Sequence, residues 1–458
     1  MTQVKAENKM GVMSINKLLL NMSLPMMISM LVMAFYNVVD SIFVAQLGEA
    51  QLTAVSSLSF PAQSLTISIM MGTGVGYSAL VSRYLGAKQQ GEANNIATHA
   101  VFLSLIIYLL FAAAGLFAVK PFFRAQTDDM EIYNYGVSYL RICLLCSFGQ
   151  CFEVVFEKLL QATGKTVYSM ITQGIGAVIN IVLDPVLIFG LGPFPQMGVN
   201  GAAVATVAGQ IVAGIFAFLF CHFKNHEIHI SFHRFRPQWN AIKKIYAIGI
   251  PSIIMQSIGS VMTFCMNKIL MIFFNSTAVA VFGVYFKMQS IVFMPVFGLN
   301  NGMVPIIAFN FGAANMERVR KTMRLALIYA LGIMLAGLLI VQFFPGQILG
   351  MFNASETMLA IGIPALRIIS LSFLMAAVGI VSSSVMQALG NSIPSMIVSI
   401  ARQLVILIPA AWLLALPGNV NLVWLAFPIA EIVSFFISIG FLKRELKRAD
   451  RITAENRL

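Results

Sequence analysis

Long hydrophobic runs recur along the whole chain, and short polar stretches separate them. The runs have about the 20 residues that a helix needs to cross the hydrocarbon core of a bilayer. A membrane β-barrel would instead show strands of about 10 residues with alternating polarity, a pattern that this sequence lacks. We therefore expect an all-α membrane protein. The pattern predicts twelve transmembrane helices, at residues 17–44, 52–79, 94–118, 134–158, 166–190, 199–221, 242–273, 278–306, 320–343, 357–386, 393–416 and 420–442.

The two halves of the chain repeat each other at an offset of 226 residues. For example, QATGKTVYSMI at 161–171 aligns with QALGNSIPSMI at 387–397. Because each half has an even number of helices, the repeat predicts two pseudo-symmetric six-helix lobes that cross the membrane in the same direction. The predicted organisation is an N-lobe at 1–221, a cytoplasmic linker at 222–241, a C-lobe at 242–442 and a basic cytoplasmic tail at 443–458.

The distribution of charge indicates the orientation of these helices. The chain is 59% hydrophobic and only 10% charged, with a formal net charge of +12. Lys and Arg collect in the loops on one side and near both ends of the chain, so we expect that side and both termini to be cytoplasmic. The first residues are polar and lack the apolar core of a signal peptide. The basic charge therefore requires no nucleic-acid partner.

Two aspartates, Asp40 in helix 1 and Asp184 in helix 5, interrupt apolar runs. Ionisable side chains inside a bilayer are costly and are candidates for a functional site. Both helices run from inside to outside, and a rise of about 1.5 Å per residue places the two acids at similar depth in the outer half. Asn180 lies one turn before Asp184, and Tyr36 and Asn37 lie one turn before Asp40, so each acid shares a helix face with polar neighbours.

These residues offer oxygen atoms to a small cation. Pro185 cannot donate a hydrogen bond to the carbonyl of Ile181, which leaves a backbone oxygen beside the acid. In helix 6, Thr206 and Gln210 share a face and add further oxygens. Oxygen ligands suit a hard cation such as Na⁺, and two close carboxylates also tend to share a proton. We therefore expect coupling to H⁺ or Na⁺, and no other cofactor.

The second half does not repeat these acids, because the matching positions hold Met266 and Ala410. Its deep charged residues are instead Lys287, Arg402 and Glu431. They have two interpretations, an internal ion network or a contact with an anionic group of a substrate. Two further acids, Glu153 and Glu157, lie near the cytoplasmic end of helix 4, where we expect them to face Lys158 or the interface, and His99 in helix 3 is interpreted as a packing residue.

Several motifs together resemble the MATE (multidrug and toxic compound extrusion) family of transporters. They are LPMMISMLVMAFYNVVDSIFVAQLG in helix 1, the loop RYLGAKQQGEA, QATGK, NIVLDPVLIFGLG and GVNGAAVATVAGQ. The resemblance implies a V-shaped pair of lobes and export of substrates by alternating access in exchange for Na⁺ or H⁺. It also implies a cation site in the N-lobe, formed by Asp40, Asn180, Asp184 and Thr206.

One departure from the family pattern indicates which branch of the family the chain resembles. The NorM-type branch uses acids in helices 7 and 10, whereas here helix 7 carries Gln256 and no acid lies between Pro364 and Met386. The chain is therefore more similar to the DinF/MepA-like branch, in which the resemblance confines ion coupling to the N-lobe. Gln256 then becomes a candidate for supporting the site or contacting substrate.

The leading hypothesis is thus an efflux transporter of amphipathic small molecules, monomeric and located in the plasma (inner) membrane of a prokaryote. The sequence has no GxxxxGK[ST] motif for nucleotide hydrolysis. A lipid-linked or polysaccharide flippase of the same superfamily is the alternative. A membrane enzyme would need a cluster of nucleophile, base or metal ligands at one depth, and a channel would need no two-lobe repeat, so we expect neither.

Overall fold

The computed structural model describes residues 8–233, 235–352 and 354–455. Within these ranges the chain is almost entirely helical and contains no strand. Ten of the described helices are long and apolar enough to cross a membrane, and two bent helix pairs raise the number to twelve. The predicted all-α membrane fold with twelve spans is confirmed.

The long helices follow the repeat. Those of the first half are α1 (Ile15–Ala45), α2 (Phe60–Gly86), α3 (Gln90–Phe117), the pair α4a (Met130–Leu145) and α4b (Phe148–Ala162), α5 (Thr166–Phe189) and α6 (Val199–Lys224). Those of the second half are α7 (Trp239–Phe273), α8 (Ser276–Gly312), α9 (Met316–Phe343), the pair α10a (Glu356–Ser370) and α10b (Phe373–Ala388), α11 (Ile393–Ala415) and α12 (Ala426–Glu455). Short helices occupy Lys9–Val12, Glu49–Leu52, Val119–Arg124, Pro345–Gly350 and Val420–Val423.

Contacts divide the described chain into two compact units. The first unit is Ile28–Gly249, and the second combines the described residues up to Met27 with those from Ile250 onward. The start of α1 therefore packs with helices of the second half, which differs from the predicted boundaries of the N-lobe. The Ser23 hydroxyl donates to the carbonyl of Leu299 at 3.1 Å. A Cβ atom at Gly302 would lie 2.5 Å from the Ser23 hydroxyl oxygen, so only glycine allows this approach.

The segment between α6 and α7 is bound to α3 within the first unit. The backbone N–H of His229 donates to the Asn94 side chain at 2.8 Å. The backbone N–H of Gln238 donates to Nε2 of the fully buried His99 at 2.9 Å, while Nδ1 of the same ring lies 2.8 Å from the Asn95 carbonyl. Because an N–H can only donate, Nε2 is the acceptor and Nδ1 carries the proton. His99 therefore hydrogen-bonds the linker to α3, in addition to being a packing residue.

Helices 4 and 10 are each broken in the middle, whereas the sequence predicted a continuous helix at 134–158 and at 357–386. The bends are 46° and 48°. At each break a buried serine donates to the carbonyl three residues earlier, Ser147 to Leu144 at 2.8 Å and Ser372 to Ile369 at 2.6 Å. These local bonds compete with the helical hydrogen bonds and allow the chain to bend. The two serines occupy nearly equivalent positions of the repeat.

The described part of the basic tail continues the last helix. The predicted basic tail at 443–458 is helical as far as Glu455, so its described part is the final turns of α12. Two acids on these turns are paired: Glu445 contacts Arg448 at 3.2 Å, and Asp450 contacts Arg320 at 2.6 Å.

Glycines allow α5 and α6 to approach closely. A Cβ atom at Gly209 would lie 2.7 Å from the Gly176 carbonyl oxygen, and one at Gly201 would lie 2.5 Å from the Leu187 carbonyl oxygen. Small residues at a helix interface are a common way to bring two membrane helices together. This approach sets the spacing of the polar side chains that α5 and α6 carry.

We predict that Gly209→Ala lowers stability. The added methyl group must push α6 away from α5, and overpacking of this kind costs about 1–3 kcal/mol. The measurement is the thermal unfolding midpoint of the purified protein in detergent. Gly174→Ala on α5 is the matched control, because a Cβ atom there meets nothing within 4 Å. Equal midpoints for the two variants would contradict the close-packing argument.

Candidate functional site

Helices α1, α5 and α6 of the first unit bring four polar side chains together. Asp184 is fully buried and Asn180 is 3% exposed. Asp40 from α1 is partly buried, and its Oδ1 atom has no hydrogen-bond partner among the described residues. Thr206 from α6 completes the group. These are the four residues that the sequence proposed for a cation site.

The hydrogen bonds of the group join α6 to α5. The Asn180 amide has complementary partners when its nitrogen donates to Asp184 at 3.3 Å and its oxygen accepts from the Thr206 hydroxyl at 3.3 Å. Asp184 from α5 and Asp40 from α1 are close enough for their charges to interact. Two neighbouring carboxylates in an apolar interior can be neutralised by a shared proton or by a small cation.

Local sequence explains much of this geometry. Asn180 and Asp184 are one helical turn apart, so both point to the same side of α5. The contact of Gly176 with Gly209 brings α6 near enough for Thr206 to reach Asn180. The helix continues through Pro185, which has no N–H to offer the carbonyl of Ile181.

A cavity beside the cluster lies wholly within the first unit and encloses about 740 Å³, its open mouth included. Two of the predicted supporting residues, Tyr36 and Gln210, line it together with Asn180 and Thr206. Asn37 is not among the lining residues. Its side chain is exposed, and its amide nitrogen donates to the carbonyl of Met33 at 2.8 Å.

Glu153 and Glu157 of α4b also line this cavity, so the expectation that they face Lys158 or the interface was incomplete. Glu157 is 3% exposed and accepts hydrogen bonds from the Thr172 hydroxyl at 2.8 Å and from the Gln173 amide at 2.7 Å. A signal for this inward face was present in the sequence. Gln150, Glu153, Glu157 and Gln161 follow one another at helical spacing in an otherwise apolar run.

The charged residues of the second half do not form one cluster. Arg402 and Glu431 make an ion pair at 3.2 Å, with side chains 23% and 15% exposed. Lys287 is exposed, and its ammonium lies over the ring of Phe352 at 5.9 Å from the centroid. Gln256 is also exposed. Among the described residues the structure therefore supports the ion-network interpretation for Arg402 and Glu431 only.

Arg402 lies on an unusual turn of α11. Residues Ala401–Ile406 form a π-helix, which inserts one extra residue per turn into an α-helix. Only one oxygen of Glu431 is used by the pair, and its Oε2 atom is buried without a hydrogen-bond partner among the described residues.

The fold and the buried acids define an integral membrane transport protein built from two related halves. A family model described as MatE matches residues 25–186 and 251–413, two segments that begin 226 positions apart. The chain belongs to this family of transporters and is of the MepA-like type.

Relatives in several organisms cover nearly the whole chain. The multidrug export protein MepA of Staphylococcus haemolyticus (strain JCSC1435) is 28% identical over 93% of each chain. The FAD transporter of Shewanella oneidensis is 26% identical over 92% of each chain. The solved structure of a MOP superfamily transporter from Pyrococcus furiosus, described as having a binding pocket of reverse polarity, has a TM-score of 0.91 and 27% identity, covering 97% of this chain and 99% of that one.

We predict that Arg402→Met destabilises the protein, because it leaves the Glu431 carboxylate in an apolar setting without its counter-ion. The cost is expected to reach about 3 kcal/mol. Adding Glu431→Gln should restore at least half of the lost stability, measured as the unfolding midpoint in detergent. A double variant no more stable than Arg402→Met would show that the pair is not a structural ion pair.

Proposed function

We propose that this protein is a secondary active efflux transporter of amphipathic organic compounds, with Asp40, Asn180, Asp184 and Thr206 as the coupling site. Substrate leaves the cytoplasm by alternating access, in antiport with H⁺ or Na⁺. The chain acts in the plasma membrane of a prokaryote, with both termini in the cytoplasm, as a monomer and without a resident cofactor. It performs no covalent chemistry.

The observation that carries this proposal is the burial of Asp184, which is fully buried beside Asn180, together with the Asp40 Oδ1 atom, which is buried without a hydrogen-bond partner among the described residues. Unpaired charge in such a setting is costly, so the pair needs a proton or a cation. A group that must gain and lose one positive charge is suited to coupling transport to an ion gradient. Asn180 and Thr206 support this role by fixing the orientation of Asp184.

The cavity chemistry favours export of organic cations over flipping of lipid-linked sugars. Two carboxylates, Glu153 and Glu157, line the cavity, and none of the described lining residues is Lys or Arg. The phosphate groups of a lipid-linked sugar are anionic and would be repelled by such a lining. The name of the MepA relative, a multidrug export protein, also agrees with export of varied compounds.

We predict that Asp40→Asn and Asp184→Asn each reduce gradient-driven efflux at least tenfold, because an amide cannot take up and release the coupling charge. The measurement is the loss of a fluorescent lipophilic cation from proteoliposomes. Asp128→Asn, which changes an exposed acid, should leave efflux unchanged. Gradient-driven efflux that persists in both site variants would refute the carboxylate coupling site.

We also predict that a single ion gradient drives efflux. A proton gradient directed into the proteoliposome lumen and a sodium gradient in the same direction are imposed separately, each at zero membrane potential. One of them should accelerate efflux, and the matching ionophore should abolish the acceleration. If neither gradient changes the rate, the antiport mechanism is wrong, even when passive efflux is observed.

A further inference from the structure

We propose that the last turns of α12 bind one anionic phospholipid, with Lys443, Arg444 and Lys447 around its phosphate. An apolar strip of the same helix lies along its acyl chains. The strip consists of three exposed side chains, Ile429, Val433 and Phe436. This lipid site is independent of the coupling ion and of the transported substrate.

One exposed face of α12 changes from apolar to basic where the membrane span ends. The apolar run ends at Leu442, and Lys443, Arg444 and Lys447 follow directly. An α-helix turns by about 100° per residue, so Phe436, Lys443 and Lys447 lie within about 40° of one another around the helix axis. Phe436 is 69% exposed. This face therefore has the polarity of a phospholipid, from the acyl chains to the phosphate.

The protein leaves these three bases unpaired. All three are exposed, and none makes a hydrogen bond or an ion pair with any described residue. The neighbouring acids have other partners, since Glu445 contacts Arg448 at 3.2 Å and Asp450 contacts Arg320 at 2.6 Å. Glu445 is 5% exposed and also accepts a hydrogen bond from the Asn391 amide at 2.9 Å. The charge of the three bases is therefore available to a ligand.

The surface between the apolar strip and the bases is open. The basic side chains line a depression on α12 that begins at Gly440. A Cβ atom at Gly440 would meet nothing within 4 Å, which leaves room for the glycerol part of a lipid. Arg451 also lines the depression, but Glu455 follows it by one helical turn and compensates its charge. The three bases nearest the membrane span are thus the core of the site.

The chemistry of these side chains specifies the headgroup. The Arg444 guanidinium can bind two oxygens of one phosphate, and the ammonium groups of Lys443 and Lys447 add two positive charges. A zwitterionic phospholipid carries its own ammonium beside the phosphate and gains less from these bases. Each base near an anionic membrane surface contributes about fivefold in affinity. The preferred ligand is therefore a phospholipid whose headgroup has a net negative charge.

The test measures which lipid remains bound to the purified protein. The protein in detergent is mixed with equal amounts of phosphatidylglycerol and phosphatidylcholine that have the same acyl chains, and bound lipids are counted by native mass spectrometry. The wild-type protein should prefer phosphatidylglycerol at least tenfold. The triple variant Lys443→Gln, Arg444→Gln and Lys447→Gln should bind the two lipids almost equally.

A second triple variant is the matched control. It removes two Lys and one Arg from exposed positions in and around the linker, as Lys224→Gln, Arg236→Gln and Lys243→Gln. The total charge falls by the same amount, so this variant should keep the wild-type preference. The double variant Lys443→Arg and Lys447→Arg retains the charge of the site and should also keep the preference.

An undiminished preference in the first triple variant would overturn the inference, as would an equal loss in the control. Should the first triple variant fail to fold, Lys447→Glu decides alone and should lower the preference at least fivefold, since it removes one base and adds an acid. Soluble glycerol phosphate at the lipid concentration should not displace phosphatidylglycerol. Displacement would show that the bases bind free phosphate without the apolar strip, and the lipid site would be wrong.

Discussion

The close packing of α5 against α6 is the contact on which the buried acid cluster depends. A Cβ atom at Gly209 would lie 2.7 Å from the Gly176 carbonyl oxygen, so the two backbones nearly touch. This approach places the Asn180 amide between Asp184 and Thr206. A wider spacing would leave the buried Asn180 amide without its Thr206 partner, at a considerable cost. Small residues that take no part in the chemistry therefore fix its position.

The first unit concentrates acidic side chains around one cavity. Glu153 and Glu157 line this cavity together with Asn180, and Asn180 in turn is hydrogen-bonded to Asp184. In an apolar environment such charges interact more strongly than in water.

The two halves share their helix arrangement but not their buried charged residues. Helices 4 and 10 bend at matching serines by 46° and 48°, and each half matches the MatE family model. The acids of the first half have no counterparts in the second, which carries the Arg402–Glu431 ion pair instead. The helix geometry follows from backbone hydrogen bonding, which both halves share. The buried charged side chains differ, because each half pairs its own residues.

The sequence by itself determined the number of helices, the repeat and the residues of the acid cluster. Hydropathy and helical spacing are local properties, and they sufficed to place Asp40, Asp184 and Asn180 on inward faces. The tertiary structure decided the side-chain contacts and the helix bends, which residue spacing along one helix does not define. It bonded the Asn37 amide to the Met33 carbonyl, bent helices 4 and 10, and placed Glu153 in the wall of the cavity that Asn180 and Thr206 also line. The physical reason is that a helical pattern defines which face is polar, but only packing between helices defines what that face meets.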